Sequence, residues 1–299
     1  MNTRHLEYFL AIVDHGGFNR AAEQLRVAQP SLSQAIRALE RDLKADLFVR
    51  TKRRAVLTDI GRSLVGPTRR VVRDINAIQS VGLEHDQDLH GDVSVAMSSA
   101  VAYGVLPRVT SDLRSIHPKV QVSVHPVANV TQAADLVQTG ICDVGLATAL
   151  QPPCPKGLHS ELVLEDRFVV AAPPGMFDAT GTLTREQLSG VRFVVGDRAT
   201  ERDRIAEEFT RWGIYPDIAV WAGHSDAVIP LVLAGVGAAM LPTARAEMAR
   251  QVGAEVFEVD PAVPFGQWMV SRPGHLNRPA NAFYERVLAI RRDRLRPGS

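Results

Sequence analysis

The beginning of the chain carries three short stretches in which apolar residues recur at helical spacing. Within each stretch the apolar positions lie one, three or four residues apart, which places them on one face of a helix. The positions are Leu6, Phe9, Leu10 and Val13, then Phe18, Ala21, Ala22 and Leu25, then Leu32, Ile36, Leu39 and Leu43. We predict three short helices, the last two joined by a few residues, which is the arrangement of a helix-turn-helix.

The segment that follows the third helix predicts two brief strands around a basic tip. The strands are expected at residues 47–50 and 55–58, and the tip carries Lys52, Arg53 and Arg54 after Arg50. A basic hairpin directly behind a helix-turn-helix is typical of a wing that reaches phosphates or the minor groove of DNA. An amphipathic helix with solvated arginines is the alternative interpretation of the third helix alone.

The polar face of the third helix has the chemistry of a base-reading surface. Ser, Gln and Arg side chains donate and accept hydrogen bonds at base edges, and a helix N-terminus favours phosphate. We predict major-groove contacts from Gln29, Ser31, Ser33, Gln34 and Arg37, and backbone or minor-groove contacts from Arg50 and Arg53. The full set of predicted DNA-contact residues is Arg20, Gln29, Pro30, Ser31, Ser33, Gln34, Arg37, Arg50, Arg53 and Arg54.

Residues 58–88 predict one long helix with a narrow apolar stripe. The stripe recurs at near-heptad spacing, as in a two-stranded coiled-coil contact; its members are Ile60, Leu64, Val71, Ile75 and Ile78. A helix packed on its own domain is the alternative. Because Gly66-Pro67 falls inside it, we expect a kink or a restart of the helix there.

After residue 88 the pattern changes to alternating strands and helices. Two sets of strand, helix and strand, separated by Gly and Pro turns, predict two α/β lobes with mainly parallel sheets. The fold class is therefore α/β, with an N-terminal winged helix-turn-helix and a long linker helix.

Composition and charge narrow the possible partners and compartments. The net charge of +1 gives no information about partners, but residues 1–60 hold ten Lys and Arg against seven Asp and Glu. Two cysteines, Cys142 and Cys154, form neither a disulfide framework nor a CxxC pair. The apolar run at residues 228–242 is too short to span a bilayer. We expect a cytoplasmic protein that does not contact the membrane, with no metal and no cofactor.

The first 61 residues resemble the DNA-binding domain of LysR-type transcriptional regulators. The stretch "FLAIVDHGGFNRAAEQLRVAQPSLSQAIRALERDLKADLFVRTKRRAVLTDIG" carries the resemblance at fixed spacing. Gly17 and Ala28 stand at helix starts; the family usually has Ser at the first position and often has Ser at the second. Lys44 replaces the family's usual Gly after the third helix. Since Ala and Gly are weaker caps than Ser, and Gly suits a left-handed position, we expect a slightly less stable domain.

The remainder resembles the effector-binding domain of the same family. The pieces that carry it are "LPRVTSDLRSIHPKVQVSV", "LVQTGICDVGLAT" and "SDAVIPLVLAGVGAAMLP", whereas the alignment is uncertain between Pro173 and Leu188. The resemblance implies a two-lobed α/β domain like type 2 periplasmic binding proteins. It also implies a DNA-binding regulator whose action on promoter DNA is modulated by a small metabolite.

The resemblance sets the expected domain limits and assembly. The winged domain spans residues 1–60, the dimerising linker helix 58–88 and the effector-binding domain 90–299. The first lobe comprises about 90–163 and 268–299, and the second about 164–267. A dimer or tetramer would bind double-stranded DNA at an inverted repeat.

Ligands of open α/β sheets bind beyond the carboxyl ends of the strands, near helix N-termini. This rule selects Ser98, Ser99, Ala100, Asn129, Thr131 and Thr148 in the first lobe, and Gly196, His224 and Ser225 in the second. A mostly uncharged polar lining would suit a small effector such as a carboxylate. Ordinary helix capping is the alternative role of each hydroxyl.

Two other classes of protein are less well supported. A solute-binding protein would not need the winged domain. An α/β enzyme would need catalytic residues, but no GxSxG, Walker lysine or HExxH stands out, and "GVGAAM" lacks the third glycine and the strand of a dinucleotide fingerprint. We therefore expect no enzyme activity.

Overall fold

A computed structural model describes residues 2–50, 55–81, 89–196, 202–274 and 276–294. The N-terminal part contains four helices and a hairpin. Their bounds are α1 Thr3–His15, α2 Phe18–Gln24, α3 Gln29–Leu43, β1 Phe48–Arg50, β2 Ala55–Leu57 and α4 Asp59–Val81.

The N-terminal domain has one core, built from the three predicted stripes. Phe9, Leu32 and Leu39 are fully buried in it, and Phe48 of β1 packs its ring against those of Phe9 and Phe18. β1 and β2 pair antiparallel, as predicted. Burial of the apolar face of each helix therefore leaves the polar face of α3 outward.

The three substitutions at helix ends have the predicted backbone geometry. Gly17 and Ala28 occupy the N-cap positions of α2 and α3 and make no side-chain capping bond. Lys44 follows α3 with a φ of 52°, in the left-handed region where Gly is preferred.

We expected a kink or a restart at Gly66 and Pro67; the linker helix α4 runs unbroken through both residues, so the restart is wrong, and the kink stays a prediction. Residues 82–88 of the predicted helix lie outside the described residues. Gly66 packs so closely on the carbonyl of Thr139 in the C-terminal part that no Cβ would fit, and Arg70 donates to the carbonyl of Gln138 at 3.1 Å. On the other side, Arg69 forms an ion pair with Asp14 of α1. The helix therefore contacts both halves of the chain.

The C-terminal part alternates strands and helices. The first half contains β3 His90–Ser98, α5 Ser99–Ile116, β4 Lys119–Val127, α6 Val130–Gln138, β5 Val144–Ala149, β6 His159–Ala172, β7 Thr182–Thr184, α7 Arg185–Leu188 and β8 Arg192–Gly196. The second half contains α8 Arg202–Arg211, β9 Asp217–Ala222, a 3-10 turn Ser225–Ala227, α9 Val228–Leu233, β10 Ala239–Pro242, α10 Thr243–Gln251, β11 Glu255–Asp260, β12 Val263–Ser271 and α11 Arg278–Arg294.

The strands build two lobes on one mixed sheet in the order β4-β3-β5-β12-β6-β11-β7, with β10 also paired to β6, and a separate β8-β9 pair. The prediction of mainly parallel sheets is wrong, because β6 runs antiparallel to β10, β11 and β12. The reason is the crossover between the lobes: β6 leaves the first lobe and β12 returns to it, so the two strands run in opposite directions. The expected lobe limits fall inside these two strands.

The helical segment after β9 has two parts. It begins as the 3-10 turn and becomes α-helical only at Val228. Pro230 then falls in the first turn of α9, where a missing N–H removes no intrahelical hydrogen bond. The turn leaves Ser225 next to the end of β8: a Cβ added at Gly196 would lie 3.3 Å from the Cα of Ser225.

Candidate functional site

The exposed face of α3 carries the residues predicted to contact bases. Gln29, Pro30, Ser31, Gln34 and Arg37 are exposed, whereas Ser33 is half-buried and accepts a hydrogen bond of 2.9 Å from Nε2 of Gln29. Because the N-cap residue of α3 is Ala28, which has no polar side chain, the first-turn N–H groups of the helix receive no capping hydrogen bond from it. We call these six residues the recognition face.

The wing is positioned by a residue that the site prediction missed. Oε1 of Glu40, on α3, accepts the backbone N–H groups of Leu47 at 2.9 Å and Phe48 at 3.4 Å. The hairpin therefore begins at a set distance from the recognition face. The signal in the sequence is the Leu39-Glu40 pair, which lies within the stretch that resembles the family.

The basic residues outside α3 are placed only in part. Arg20 is exposed on α2, and Arg50 ends β1 in register with Ala55. Arg53 and Arg54 lie outside the described residues. Val49 and Val56 pair across the hairpin and are both exposed, so the outer face of the wing is apolar at its base.

The apolar stripe of α4 is partly unburied. Ile60, Val71 and Ile78 are 55%, 41% and 71% exposed, while Leu64 and Ile75 are half-buried. Three apolar side chains on one face of a helix, each open to solvent, indicate a surface that another chain covers.

In the first lobe, two predicted effector residues differ sharply. Asn129 caps α6, because its Oδ1 accepts the N–H of Gln132 at 3.0 Å. Ser98 occupies the N-cap of α5 but makes no capping bond, and its Oγ is buried without a partner among the described residues. Ser99 and Thr131 are exposed, and Ala100 and Thr148 are half-buried. Ser98 is therefore the hydroxyl with unused hydrogen-bonding capacity.

A contact between the lobes lies next to the predicted residues of the second lobe. Oη of Tyr103, on α5, donates to Oδ1 of Asp226 in the 3-10 turn at 2.9 Å. The guanidinium carbon of Arg245, on α10, lies 5.2 Å from the ring centroid of Tyr103, and Nη2 of Arg245 donates to the carbonyl of Ser225. We call Tyr103, Ser225, Asp226 and Arg245 the interlobe contact.

Burial governs the ionisation of this contact. Burial raises the pKa of Tyr103, and the hydrogen bond to Asp226 raises it further. Burial lowers the pKa of Arg245, whereas the nearby Tyr103 and Asp226 act in the opposite direction and raise it. Sequence reasoning missed Tyr103, Asp226 and Arg245, although Tyr103 follows Ser99 by four residues and so shares its helix face. The predicted residues Ser225 and His224 lie beside this contact; His224 is exposed, stands at the N-cap of the 3-10 turn and makes no side-chain capping bond.

A row of polar side chains crosses the sheet beside this contact. Gln267 of β12 pairs with Thr148 of β5 and donates from Nε2 to Oδ2 of Asp166 at 3.2 Å. Oδ1 of Asp166 accepts the hydroxyl of Thr243, the first residue of α10, at 2.6 Å. Oε1 of Gln267 is buried and has no partner in the described part of the chain. The row links Thr148 to the helix that carries Arg245.

Metal chemistry finds no support in the described ranges. They contain no group of three His, Cys, Asp or Glu that could hold a metal ion, and of the two cysteines Cys142 is buried and Cys154 is exposed. No helix in these ranges is long and apolar enough to cross a bilayer.

A winged helix-turn-helix joined through a long helix to a two-lobed α/β domain defines a DNA-binding regulator with a ligand-binding domain. Residues 3–62 match the model of the bacterial regulatory helix-turn-helix protein, lysR family, and residues 86–291 match that of the LysR substrate binding domain. The chain belongs to the LysR family of transcriptional regulators. The family membership confirms the predicted class and the prediction that the protein is not an enzyme.

Known proteins resemble the chain over most of its length. It is 31% identical to the HTH-type transcriptional activator IlvY of Salmonella typhimurium, over 81% of this chain and 82% of IlvY. It is 28% identical to the transcriptional regulator YxjO of Bacillus subtilis, over 94% and 90% of the two chains.

Solved structures share the fold. Full-length CbnR in complex with its target DNA superposes with a TM-score of 0.67 at 22% identity, over 97% of this chain and 100% of CbnR. A full-length OxyR variant from Pseudomonas aeruginosa superposes with a TM-score of 0.75 at 19% identity, over 98% and 95% of the chains. The two-lobed architecture expected from the sequence is thus confirmed.

Proposed function

We propose that the recognition face reads base edges in the major groove and that the wing holds the DNA backbone. The observation that carries this proposal is the exposure of Gln34 and Arg37 on the outer side of α3, whose opposite side is the domain core. Their amide and guanidinium groups hydrogen-bond to adenine and guanine edges. Arg20, Arg50, Arg53 and Arg54 supply positive charge to phosphates, which fixes orientation without reading sequence.

The α4 stripe supports a homodimer. Two copies that cover Ile60, Val71 and Ile78 would present two recognition faces to the two halves of an inverted repeat, one helical turn apart. Pairs of dimers would give a tetramer. We place the protein in the cytoplasm, where promoter DNA is accessible to it.

The effector site that we propose lies between the lobes, at the N-terminus of α5. Ser98 leaves the first-turn N–H groups of this 18-residue helix without a side-chain cap, and its own hydroxyl has no partner among the described residues. A small carboxylate would satisfy both, because N-terminal N–H groups and the helix dipole favour anions. Ser99, Ala100, Thr148, Gly196, His224 and Ser225 complete the candidate lining, while Asn129 and Thr131 belong to the start of α6.

The effector acts on DNA only by differential affinity. A ligand that binds one arrangement of the lobes and of the oligomer better than another shifts the population toward that arrangement. Such a shift changes the distance between the two recognition faces and hence the occupancy or geometry of the promoter.

The experiment that tests the DNA-binding proposal is a salt titration of full-length protein on fragmented genomic DNA, followed by sequencing of the bound fragments. We expect enrichment of one inverted repeat. Steep salt dependence without a preferred sequence would leave only backbone affinity and would overturn base reading.

Two variants separate the two kinds of contact. Gln34→Ala should relax preference at one base position, whereas Arg53→Ala should weaken binding to all sequences and reduce the salt slope by about 1. Equal losses on every sequence from both variants would contradict the assignment of the recognition face.

A further inference from the structure

Arg245 is a buried cation near the start of α10. The residue is only 5% exposed. Removing a charged group from water is costly unless an opposite charge and hydrogen bonds compensate it. The hydrogen bonds and opposite charges around Arg245 therefore decide whether the protein alone balances its charge.

That compensation is incomplete. Nη2 donates to the carbonyl of Ser225, and the ring of Tyr103 lies under the guanidinium, but Nε is buried without a partner among the described residues. The nearby carboxylate, Asp226, accepts the hydroxyl of Tyr103 rather than forming an ion pair with Arg245 in the described ranges. The burial lowers the pKa of Arg245, as expected for an undercompensated cation.

Other arginines of the same lobe are satisfied. Nε and Nη2 of Arg167 donate to the two carboxylate oxygens of Glu258 at 2.6 and 2.7 Å. Arg185 donates to the carbonyls of Trp212, Pro261 and Ala262 at 2.8–3.1 Å. Arg245 thus differs from these two arginines of its lobe.

The position of Arg245 relates it to the proposed effector site. It contacts Ser225 of the second lobe and Tyr103 of the first, and Tyr103 lies one turn along α5 from Ser99. Because helical side chains lean toward the helix N-terminus, Tyr103 leans toward the end of α5 that Ser98 leaves uncapped.

We propose that Arg245 recognises the negative charge of the effector, and that the effector is a small carboxylate held between this guanidinium and the first turn of α5. The inference rests on the proposed function of the cleft. A planar guanidinium donates two parallel hydrogen bonds to the two oxygens of a carboxylate. A neutral ligand does not form this charged pair. One ligand held by both lobes stabilises their closed arrangement.

The test uses full-length protein and a panel of probes: isobutyrate, isovalerate, benzoate and succinate, each beside its neutral amide. We expect at least one carboxylate, and not its amide, to raise the Tm of the wild type. Arg245→Met should weaken that carboxylate at least about tenfold, and Arg245→Lys should retain part of the affinity. An unchanged affinity in Arg245→Met, or a wild type that no carboxylate of the panel stabilises, overturns the proposal.

Stability without ligand gives a second readout. Removal of an undercompensated cation should leave the Tm of Arg245→Met unchanged or raise it, whereas the matched control Arg185→Met should lower it. A loss in Arg245→Met as large as that in Arg185→Met, or failure of the variant to fold, assigns Arg245 to the fold and overturns the proposal. Operator binding by the same wild-type preparation tests the proposed function separately, since a failure there does not depend on the probes.

Discussion

The DNA-binding domain and the cleft between the lobes place their polar side chains in opposite environments, one exposed and one buried. On the recognition face the amide and guanidinium groups of Gln34 and Arg37 are exposed. The hydrogen bonds that hold the fold, such as those accepted by Glu40, lie behind them. In the cleft, Ser98, Arg245 and Gln267 are buried and keep atoms without a partner among the described residues.

This difference follows from the size of the two ligands. DNA presents many phosphates to an open surface, so affinity is the sum of many weak, solvated contacts. A small metabolite offers few groups, so each contact must be made away from water, where an unmet group costs more. The proposed effector site thus combines buried polar atoms of Ser98, Arg245 and Gln267, whereas the proposed DNA-binding face combines exposed ones; the N-terminal domain has a buried unpartnered atom of its own among the described residues, Nδ1 of His5.

The largest expected effect comes from breaking the scaffold behind the DNA-binding face. Glu40→Ala removes the acceptor of two backbone N–H groups, so we expect a loss of about 2 kcal/mol in the unfolding free energy of the N-terminal domain. The wing should lose its position, and DNA affinity should fall on every sequence. Chemical denaturation and DNA titration measure the two effects.

Glu40→Gln is the matched control, because its amide oxygen still accepts both N–H groups. We expect it to retain most of the stability and DNA affinity. A Glu40→Ala protein with wild-type DNA affinity would show that the wing does not depend on this contact.

Two N-cap residues of the first lobe sharpen the comparison within a single domain. Asn129→Ala deletes a capping bond and should cost about 1 kcal/mol, whereas Ser98→Ala deletes a hydroxyl that caps nothing and should be close to neutral. Thermal unfolding of the two variants side by side measures the difference. Equal costs would mean that Ser98 serves the helix and not a ligand.

A smaller, stabilising effect is expected where the DNA-binding domain departs from its family. Ala28→Ser supplies a cap for α3 and should add about 0.5–1 kcal/mol. Lys44→Gly relieves a left-handed backbone and should also raise the Tm. Lys44→Ala serves as the control, since it keeps the Cβ and should bring no such gain.

The smallest expected effect is the pH dependence of a satisfied arginine. The hydrogen bonds from Arg167 lower the pKa of Glu258, so this pair contributes stability above the usual Glu pKa of about 4.3 and loses it as the pH falls through the lowered value. Both side chains are about half exposed, so solvent screens the pair and its contribution is less than ~1 kcal/mol. Glu258→Gln should flatten this acid limb in pH-dependent unfolding; an unchanged limb would show that the pair contributes nothing.

The amino-acid sequence by itself determined the elements and their outward faces. The stripes through Leu32 and Leu39 predict α3 and place Gln34 and Arg37 outside the core, because an amphipathic helix buries its apolar side whatever surrounds it. The same periodicity predicted the stripe of α4, whereas of the two alternatives expected at Gly66-Pro67, a kink or a restart, the restart is wrong. Here a close contact with Thr139 requires the glycine.

Only the tertiary structure decided which residues meet between the lobes. Tyr103, Asp226 and Arg245 are separated along the chain by up to 142 positions (Tyr103 to Arg245), and no local periodicity brings them together. The mixed sheet arises in the same way, since the return of β12 beside β6 depends on how the lobes are connected and not on the pattern within either strand. Local patterns determine secondary structure because backbone and side-chain contacts within an element are short-range. A buried charge such as Arg245 is recognised only when the fold has removed it from water.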